Sequence, residues 1–221
     1  MKKFAVVLAG CGQHDGSETH EVILTLLSMD QEGIAWDAFA PDVNQHSVIN
    51  HVTESVNTSE TRSALQESAR LVRGKIKPIT MANVAEYDAI VFPGGLGAVT
   101  TLCDWFEKQS AFSFNPDVNH FIDEAVKYNK TMGFICIAPI MITKIYEGAQ
   151  FTIGNDTTIA KQIHDMGCQH INCPADGVVI DEAHKIVSTP ANMVAKNISE
   201  VYVGIKKLVH ALVRLSEHHE R

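Results

Sequence analysis

Lys130-Thr131-Met132-Gly133-Phe134-Ile135-Cys136-Ile137-Ala138-Pro139-Ile140-Met141 decides the fold of this chain. A short apolar run suited to a buried strand breaks at one cysteine, and Pro139 follows where a helix tolerates proline best, in its first turn. A strand-to-helix elbow lifts the residue at the break clear of the sheet, and the free N–H groups of the helix start favour negative charge there. Cys136 is thereby placed as a nucleophile, with its thiolate favoured over the thiol. The same residue also suits plain packing, since free cysteine is among the most buried residue types.

Outward from the elbow the pattern alternates between short apolar runs and amphipathic stretches. Residues 4–9, 34–40, 88–92, 151–153, 178–180 and 186–188 read as strands, and 75–80 as an edge strand because Pro78 has no N–H for a ladder. Helices are expected from a cap at Ser17 or Thr19 to about residue 30, placing Glu21 one and a half turns in, and over 58–73, 116–129, 156–166 and 191–215. The elbow helix should run to about residue 146. Residues 41–57 are polar and irregular, and 100–114 form an aromatic excursion carrying Trp105, Phe106, Phe112 and Phe114. Strands and helices alternating at these lengths predict an α/β fold, a mostly parallel sheet covered on both faces with ligands at the carboxyl ends of its strands. No repeat or long linker divides residues 1–221, so one domain is expected.

Composition narrows the function classes. With 45% hydrophobic and 20% charged residues the chain can build a sizeable core, and a net charge of −8 opposes binding to phosphate backbones or anionic lipid. Neither nucleic acid nor membrane is expected as a partner. Five cysteines, at 11, 103, 136, 168 and 173, lack framework-like spacing and point to free thiols in a reducing cytoplasm. Leu8-Ala9-Gly10-Cys11 after Lys2-Lys3 imitates a lipoprotein cleavage box, but its six-residue apolar run is shorter than the roughly seven to fifteen that an export signal needs. His164, Cys168, His170 and Cys173 fit no common zinc spacing, so no metal site is expected. Pro93-Gly94-Gly95-Leu96-Gly97 matches neither a P-loop nor a dinucleotide fingerprint. His218 and His219 close a tail expected to fray in solvent.

Three strand-end loops, Gly16-Ser-Glu-Thr-His-Glu21, Pro93-Gly-Gly95 and Gly133-Phe-Ile-Cys136-Ile-Ala-Pro139, together resemble the PfpI/ThiJ superfamily. More narrowly, Gly10-Cys-Gly12 with Asp15-Gly-Ser-Glu, Ile49-Asn-His-Val-Thr53, Thr61-Arg62, and Cys173-Pro174 with Thr189-Pro-Ala191 are similar to the ElbB-like family of glyoxalases, also described as isoprenoid-biosynthesis proteins with an amidotransferase-like domain. The likeness spans essentially the whole chain. It implies a flavodoxin-like three-layer sandwich of the class I glutamine amidotransferase-like type. It further implies Cys136 as nucleophile, Glu21 as the carboxylic acid bonded to its sulfur, and the backbone N–H groups of Gly95 and Ile137 as oxyanion donors.

Two departures limit the likeness. Many members carry a histidine shortly after the elbow helix, where this chain reads Phe151-Thr-Ile-Gly-Asn155-Asp156, and Thr189-Pro-Ala-Asn192 offers no His-Glu pair for a glutaminase. Phe134, two before Cys136 where members of the superfamily commonly carry a small residue, suggests a tighter or re-angled elbow than usual. Cys11, Gly94, His14 and His20 are the remaining candidates to line the site; Cys11 could resolve an oxidised Cys136, and each also suits an ordinary loop or helix position. The resemblance implies a cofactor-independent glyoxalase turning glyoxal into glycolate, with a small dicarbonyl as substrate; apparent deglycase activity is the same chemistry on released dicarbonyl. The alternative is a non-catalytic redox-sensing or interaction protein built on the same cysteine. A homodimer is expected, since the 100–114 aromatics should leave an apolar rim.

Overall fold

The computed structural model describes residues 1–217, so His218 and His219 lie outside the described residues. In chain order the strands are β1 (Lys3–Val7), β2 (Ala35–Ala40), β3 (Ile49–Asn50), β4 (Ser55–Val56), β5 (Ile76–Pro78) and β6 (Ala89–Phe92). Then come β7 (Thr131–Ile135), β8 (Gln150–Phe151), β9 (Gln169–His170), β10 (Val179–Asp181) and β11 (Ile186–Thr189). The helices are α1 (Thr19–Gln31), α2 (Ala64–Leu71), α3 (Gly97–Thr100), α4 (Trp105–Lys108), α5 (Pro116–Lys127), α6 (Thr157–Asp165) and α7 (Ile198–Glu217).

Seven strands form the central sheet in the order β10-β11-β7-β6-β1-β2-β5, parallel except for the antiparallel edge strand β10. β6 and β7 are buried along their whole length, which is why they read as unbroken apolar runs rather than alternating ones. The chain leaves β1 toward β2 and leaves β6 toward β7, so the order reverses between β1 and β6. Right-handed crossovers then put α1 and α2 on one face and α5 on the other, and α7 returns to pack against α1, β7 and β11. This is the expected flavodoxin-like sandwich. The reversal opens a crevice at the carboxyl ends of β1, β6 and β7.

Local chemistry moves several element boundaries. Glu18, rather than Ser17 or Thr19, caps α1 by accepting from the Glu21 N–H at 2.8 Å, which puts Glu21 in the first turn. The Ser17 hydroxyl is already used, accepting from the Ala9 N–H at 2.9 Å. The expected helix over 58–73 shortens to α2, whose cap Ser63 accepts from the Gln66 N–H at 3.2 Å, and part of the irregular 41–57 stretch pairs as the β3–β4 hairpin. The elbow helix is a short 3₁₀ turn over Ala138–Lys144, and α7 starts at Ile198 because Ala191 takes a left-handed φ of 43° just after Pro190.

The aromatic excursion is largely internal: Trp105 and Phe112 are buried, and Phe112 packs edge-on against Phe114 at 5.7 Å between centroids. Phe106 alone of the four is exposed, so the apolar rim expected there is not formed. No helix among the described residues is long and apolar enough to cross a membrane.

Helix α7 lies so close to the 174–177 turn that a Cβ on Gly204 would strike the Ala175 carbonyl oxygen and come within 2.7 Å of Thr189 Oγ1. Alanine is about 1 kcal/mol better than glycine in a helix, but overpacking against backbone costs about 1–3 kcal/mol. Gly204→Ala is therefore expected to lower the urea midpoint with an unchanged m-value; a raised midpoint would show that the turn yields.

Candidate active site

Four strand ends each deliver one part of the crevice. Phe92 on β6 is in register with Phe134 on β7, and their rings stack at 4.9 Å, 7° from parallel. Two residues beyond each, Gly94 and Cys136 lie against one another. Phe134 is thus the inter-strand partner that holds the two strand ends level. Cys136 adopts φ 64°, a left-handed conformation unusual for a residue with a side chain, and its N–H donates to the Thr189 carbonyl of β11 at 2.9 Å.

Glu21 enters from the first turn of α1 and is wholly buried. Its Oε2 accepts the Gly94 N–H at 2.9 Å; its Oε1 accepts the Asn192 side-chain amide at 2.9 Å and the Asn192 backbone N–H at 3.4 Å. The carboxyl and the Cys136 thiol are hydrogen-bonded to each other, and the N–H groups of Gly95 and Ile137 donate to the same sulfur. The two backbone groups expected to hold an oxyanion therefore hold the sulfur in the resting site.

Burial first, and then the charge of Glu18, push the Glu21 carboxyl up to about 7, against hydrogen bonds from Asn192, Cys136 and Gly94 that favour its ionised form. Burial and the neighbouring Glu21 push the Cys136 thiol well above the ordinary thiol range, against the Gly95 and Ile137 N–H groups. This corrects the expectation that the elbow alone favours a thiolate, because Cys136 is only 7% exposed and shares its pocket with a carboxyl. The two groups titrate as a pair: below about 7 both hold a proton, and above it the pair keeps one, shared between carboxyl and sulfur.

The other candidates separate. Gly94 is in contact: a Cβ there would lie 2.5 Å from Cys136 Cβ and 2.7 Å from Glu21 Oε2. Cys11 is half-buried, hydrogen-bonded with Thr19, and its thiol is pushed up mainly by burial; the charges acting on it are Glu67 and Arg70 of α2 and Asp15 of its own loop. His20 is exposed on α1, with Nδ1 3.7 Å from Glu18 Oε1. His14 packs against His51 of the hairpin at 4.9 Å between ring centroids and donates its backbone N–H to His51 Nε2 at 3.2 Å. The 151–156 stretch does meet a histidine, His170 of β9, but its Nε2 accepts the Ile153 N–H at 3.3 Å and burial keeps the ring toward its neutral form.

Glu18 and Asn192 are the residues that sequence reasoning missed. Asn192 Nδ2 bridges the two carboxylates, 2.9 Å from Glu21 Oε1 and 3.1 Å from Glu18 Oε2. A cue existed for Glu18, an acidic residue at a helix start three before another. For Asn192, 171 residues away from Glu21, none did.

The raised Glu21 makes a stability prediction. The unfolded carboxyl titrates near 4.5 and the folded one near 7, so between those values the folded state holds a proton the unfolded state has lost. Stability should fall as pH rises through that window, by up to about 3 kcal/mol from this group. Urea unfolding at pH 5 and pH 8 should show the loss in the parent and a smaller one in Glu21→Gln; equal pH slopes would contradict the raised value.

No family model matches the chain. The mitochondrial ES1 protein homolog of Rattus norvegicus is 31% identical to it, over 97% of this chain and 84% of the relative. The mitochondrial glutamine amidotransferase-like class 1 domain-containing protein 3 of Homo sapiens is 32% identical, over 97% of this chain and 83% of the relative. Among solved structures, an isoprenoid biosynthesis protein with amidotransferase-like domain from Ehrlichia chaffeensis has a TM-score of 0.91 at 32% identity, covering 97% of this chain and 99% of that one. Drosophila melanogaster DJ-1beta, at 14% identity and a TM-score of 0.54, shares the fold. With whole-chain matches at 31% and 32% identity to these relatives, the chain belongs to the ES1 family of class I glutamine amidotransferase-like proteins.

Proposed function

We propose that the protein is a cofactor-independent glyoxalase that converts glyoxal to glycolate. The observation that carries this reading is the buried Glu21 carboxyl, raised to about 7 and hydrogen-bonded to the Cys136 sulfur. A single proton held between a nucleophile and a carboxyl is what an internal redox reaction of a dicarbonyl needs, since the chemistry is one addition and a series of proton transfers.

The Cys136 sulfur adds to one aldehyde carbon, and the oxygen of that carbonyl takes the proton, giving a hemithioacetal. Gly95 and Ile137 N–H groups, released from the sulfur as it bonds to carbon, donate to the developing oxyanion. Glu21, now ionised, removes the hydrogen on the sulfur-bearing carbon to form an enediol and returns a proton to the neighbouring carbon. One carbonyl carbon is thereby reduced to an alcohol and the other oxidised to a thioester, with no outside oxidant. Water then releases glycolate and restores the thiol. Glutaminase activity is not proposed, because Asn192 stands where a His-Glu pair would be needed. Five free cysteines suit a reducing compartment, and we place the protein in the cytoplasm.

Cys136→Ser should abolish glyoxal turnover with little change in melting temperature, because a serine hydroxyl has a far higher pKa than a thiol and is a much weaker nucleophile near neutral pH. Glu21→Gln should slow turnover by about 100-fold or more, the contribution typical of a lost acid-base group. Turnover retained in Cys136→Ser would end the glyoxalase reading. Sulfinic acid formation at Cys136 under mild peroxide, with no dicarbonyl turnover in the parent, would replace it with the redox-sensing alternative.

We further propose a homodimer. Its apolar contact would be supplied not by residues 105–114 but by surfaces such as the exposed Ile23 and Leu27 of α1. Sedimentation as a monomer at micromolar concentration would remove this assembly.

A further inference from the structure

Two carboxyl groups lie buried at the start of α1, and the structure treats them differently. Glu18 is 7% exposed and Glu21 is 0% exposed. Glu18 Oε2 accepts two donors, the Glu21 N–H at 2.8 Å and Asn192 Nδ2 at 3.1 Å, at the positive end of a 13-residue helix. Both contacts are N–H donors at the helix start, where a carboxylate oxygen serves as the cap. Glu21 Oε1 also receives two N–H donors, both from Asn192, at 2.9 and 3.4 Å. An oxygen whose in-plane lone pairs both accept has no position left for a proton of its own.

Oε2 has one backbone donor, the Gly94 N–H at 2.9 Å, which leaves room for the hydrogen bond between the carboxyl and the Cys136 sulfur. It also lies on the Cys136 side: the Cβ position at Gly94 is 2.7 Å from Oε2 and 2.5 Å from Cys136 Cβ. Asn192 reaches this place only because Ala191 holds a left-handed φ of 43°, which turns the chain back over the crevice after β11. An amide NH₂ donates and cannot accept, so it cannot carry a proton from one carboxylate to the other.

We propose that Asn192 and Glu18 are positioning residues for Glu21: the bridging amide confines the proton of the site to the Glu21 oxygen that faces Cys136, and the fixed charge of Glu18 keeps it there. Without the amide, two neighbouring buried carboxyl groups would compete for one proton, because like charges in one site cannot both ionise freely. With the amide tied to both, Glu21 is the carboxyl whose acid form burial and the Glu18 charge favour. The groups that face Glu21 are Glu18 on its own helix, Cys136 at the elbow, the Gly94 N–H after β6 and Asn192 after β11; His20, 3.7 Å from Glu18 Oε1, is the exposed end of the cluster. The inference deepens the proposed acid-base use of Glu21 and rests on that reading only for its connection to turnover.

The test is the pH dependence of Cys136 alkylation by iodoacetamide, which reads the Cys136–Glu21 pair with or without a dicarbonyl substrate. In the parent the rate should rise through an inflection near the Glu21 value of about 7. Asn192→Ala, which removes a donor to Oε1, should move that inflection upward by roughly one pH unit, the worth of one charge-assisted hydrogen bond. Glu18→Gln, which keeps the helix-capping oxygen and removes the charge, should move it downward. Asn192→Asp, adding a third carboxylate, should move it up further than alanine does. Thermal melts identify any variant that has not folded, and the near-isosteric Glu18→Gln and Asn192→Asp keep the question answerable if Asn192→Ala is one of them. An inflection unmoved in the folded variants, or moved the same way by Glu18→Gln and Asn192→Ala, overturns the proposal even if glyoxal turnover is found. Opposite shifts in a protein that never turns over glyoxal sustain it while ending the glyoxalase reading.

Discussion

A missing methylene at Gly94 is the constraint on which this site depends. Any side chain there would overlap Cys136 Cβ, Glu21 Oε2 and the Ile135 carbonyl, all within 2.8 Å of where its Cβ would stand. Because the position is bare, the end of β6 can lie flat against the elbow, and its N–H can point at a carboxyl rather than into solvent. That contact does more than bind Glu21. The Gly94 carbonyl also accepts the Glu18 N–H at 2.9 Å, so one residue anchors both the helix start and the acid that the helix carries.

The sheet supplies the rest by register. Phe92 and Phe134 stack because parallel pairing of β6 and β7 brings them level, and the same pairing brings the residues two beyond them together. Thr189 of β11 takes the Cys136 N–H, so the left-handed elbow is held from its far side as well. Strain of this kind persists only where neighbours over-determine the backbone, and here three adjacent strands do so. The loop after β1 is tied down in the same manner. Ser17 and Ser68 hydroxyls accept the Ala9 and Gly10 N–H groups at 2.9 and 2.8 Å, and the Gly97 N–H donates to the Gly16 carbonyl.

Electrostatics then follow from burial rather than from the elbow. In water a helix start lowers a thiol pKa, but inside a closed crevice desolvation outweighs a few N–H dipoles, and the nearest ionisable neighbour is an acid. The outcome is a proton shared by a carboxyl and a sulfur, which is a different resting state from a free thiolate. It also keeps an acid beside the sulfur.

Much of this architecture was legible in the chain itself. The unbroken apolar runs of β1, β6 and β7 and the amphipathic stretches between them determine a parallel sheet; Cys136 and Gly94–Gly95 sit at the ends of two such runs and Glu21 at the start of the helix that follows the third, so their convergence follows from topology. What the sequence left open depends on contacts between distant residues. The capping of α1 by Glu18 instead of Ser17 was decided by which hydroxyl the neighbouring strand had already claimed. The shortened α7, the β3–β4 hairpin and the inward packing of Trp105 and Phe112 were decided by backbone turns and by space in the core. Asn192 carries no local signal at all; it meets Glu21 and Glu18 because β11 is threaded beside β7 and the turn at Ala191 folds back. The sequence by itself placed Cys136, Glu21 and Gly94–Gly95 at the crevice, while only the tertiary structure brought Asn192 to it and decided the protonation of the Cys136–Glu21 pair, because burial and neighbouring charge exist only once the chain has closed around them.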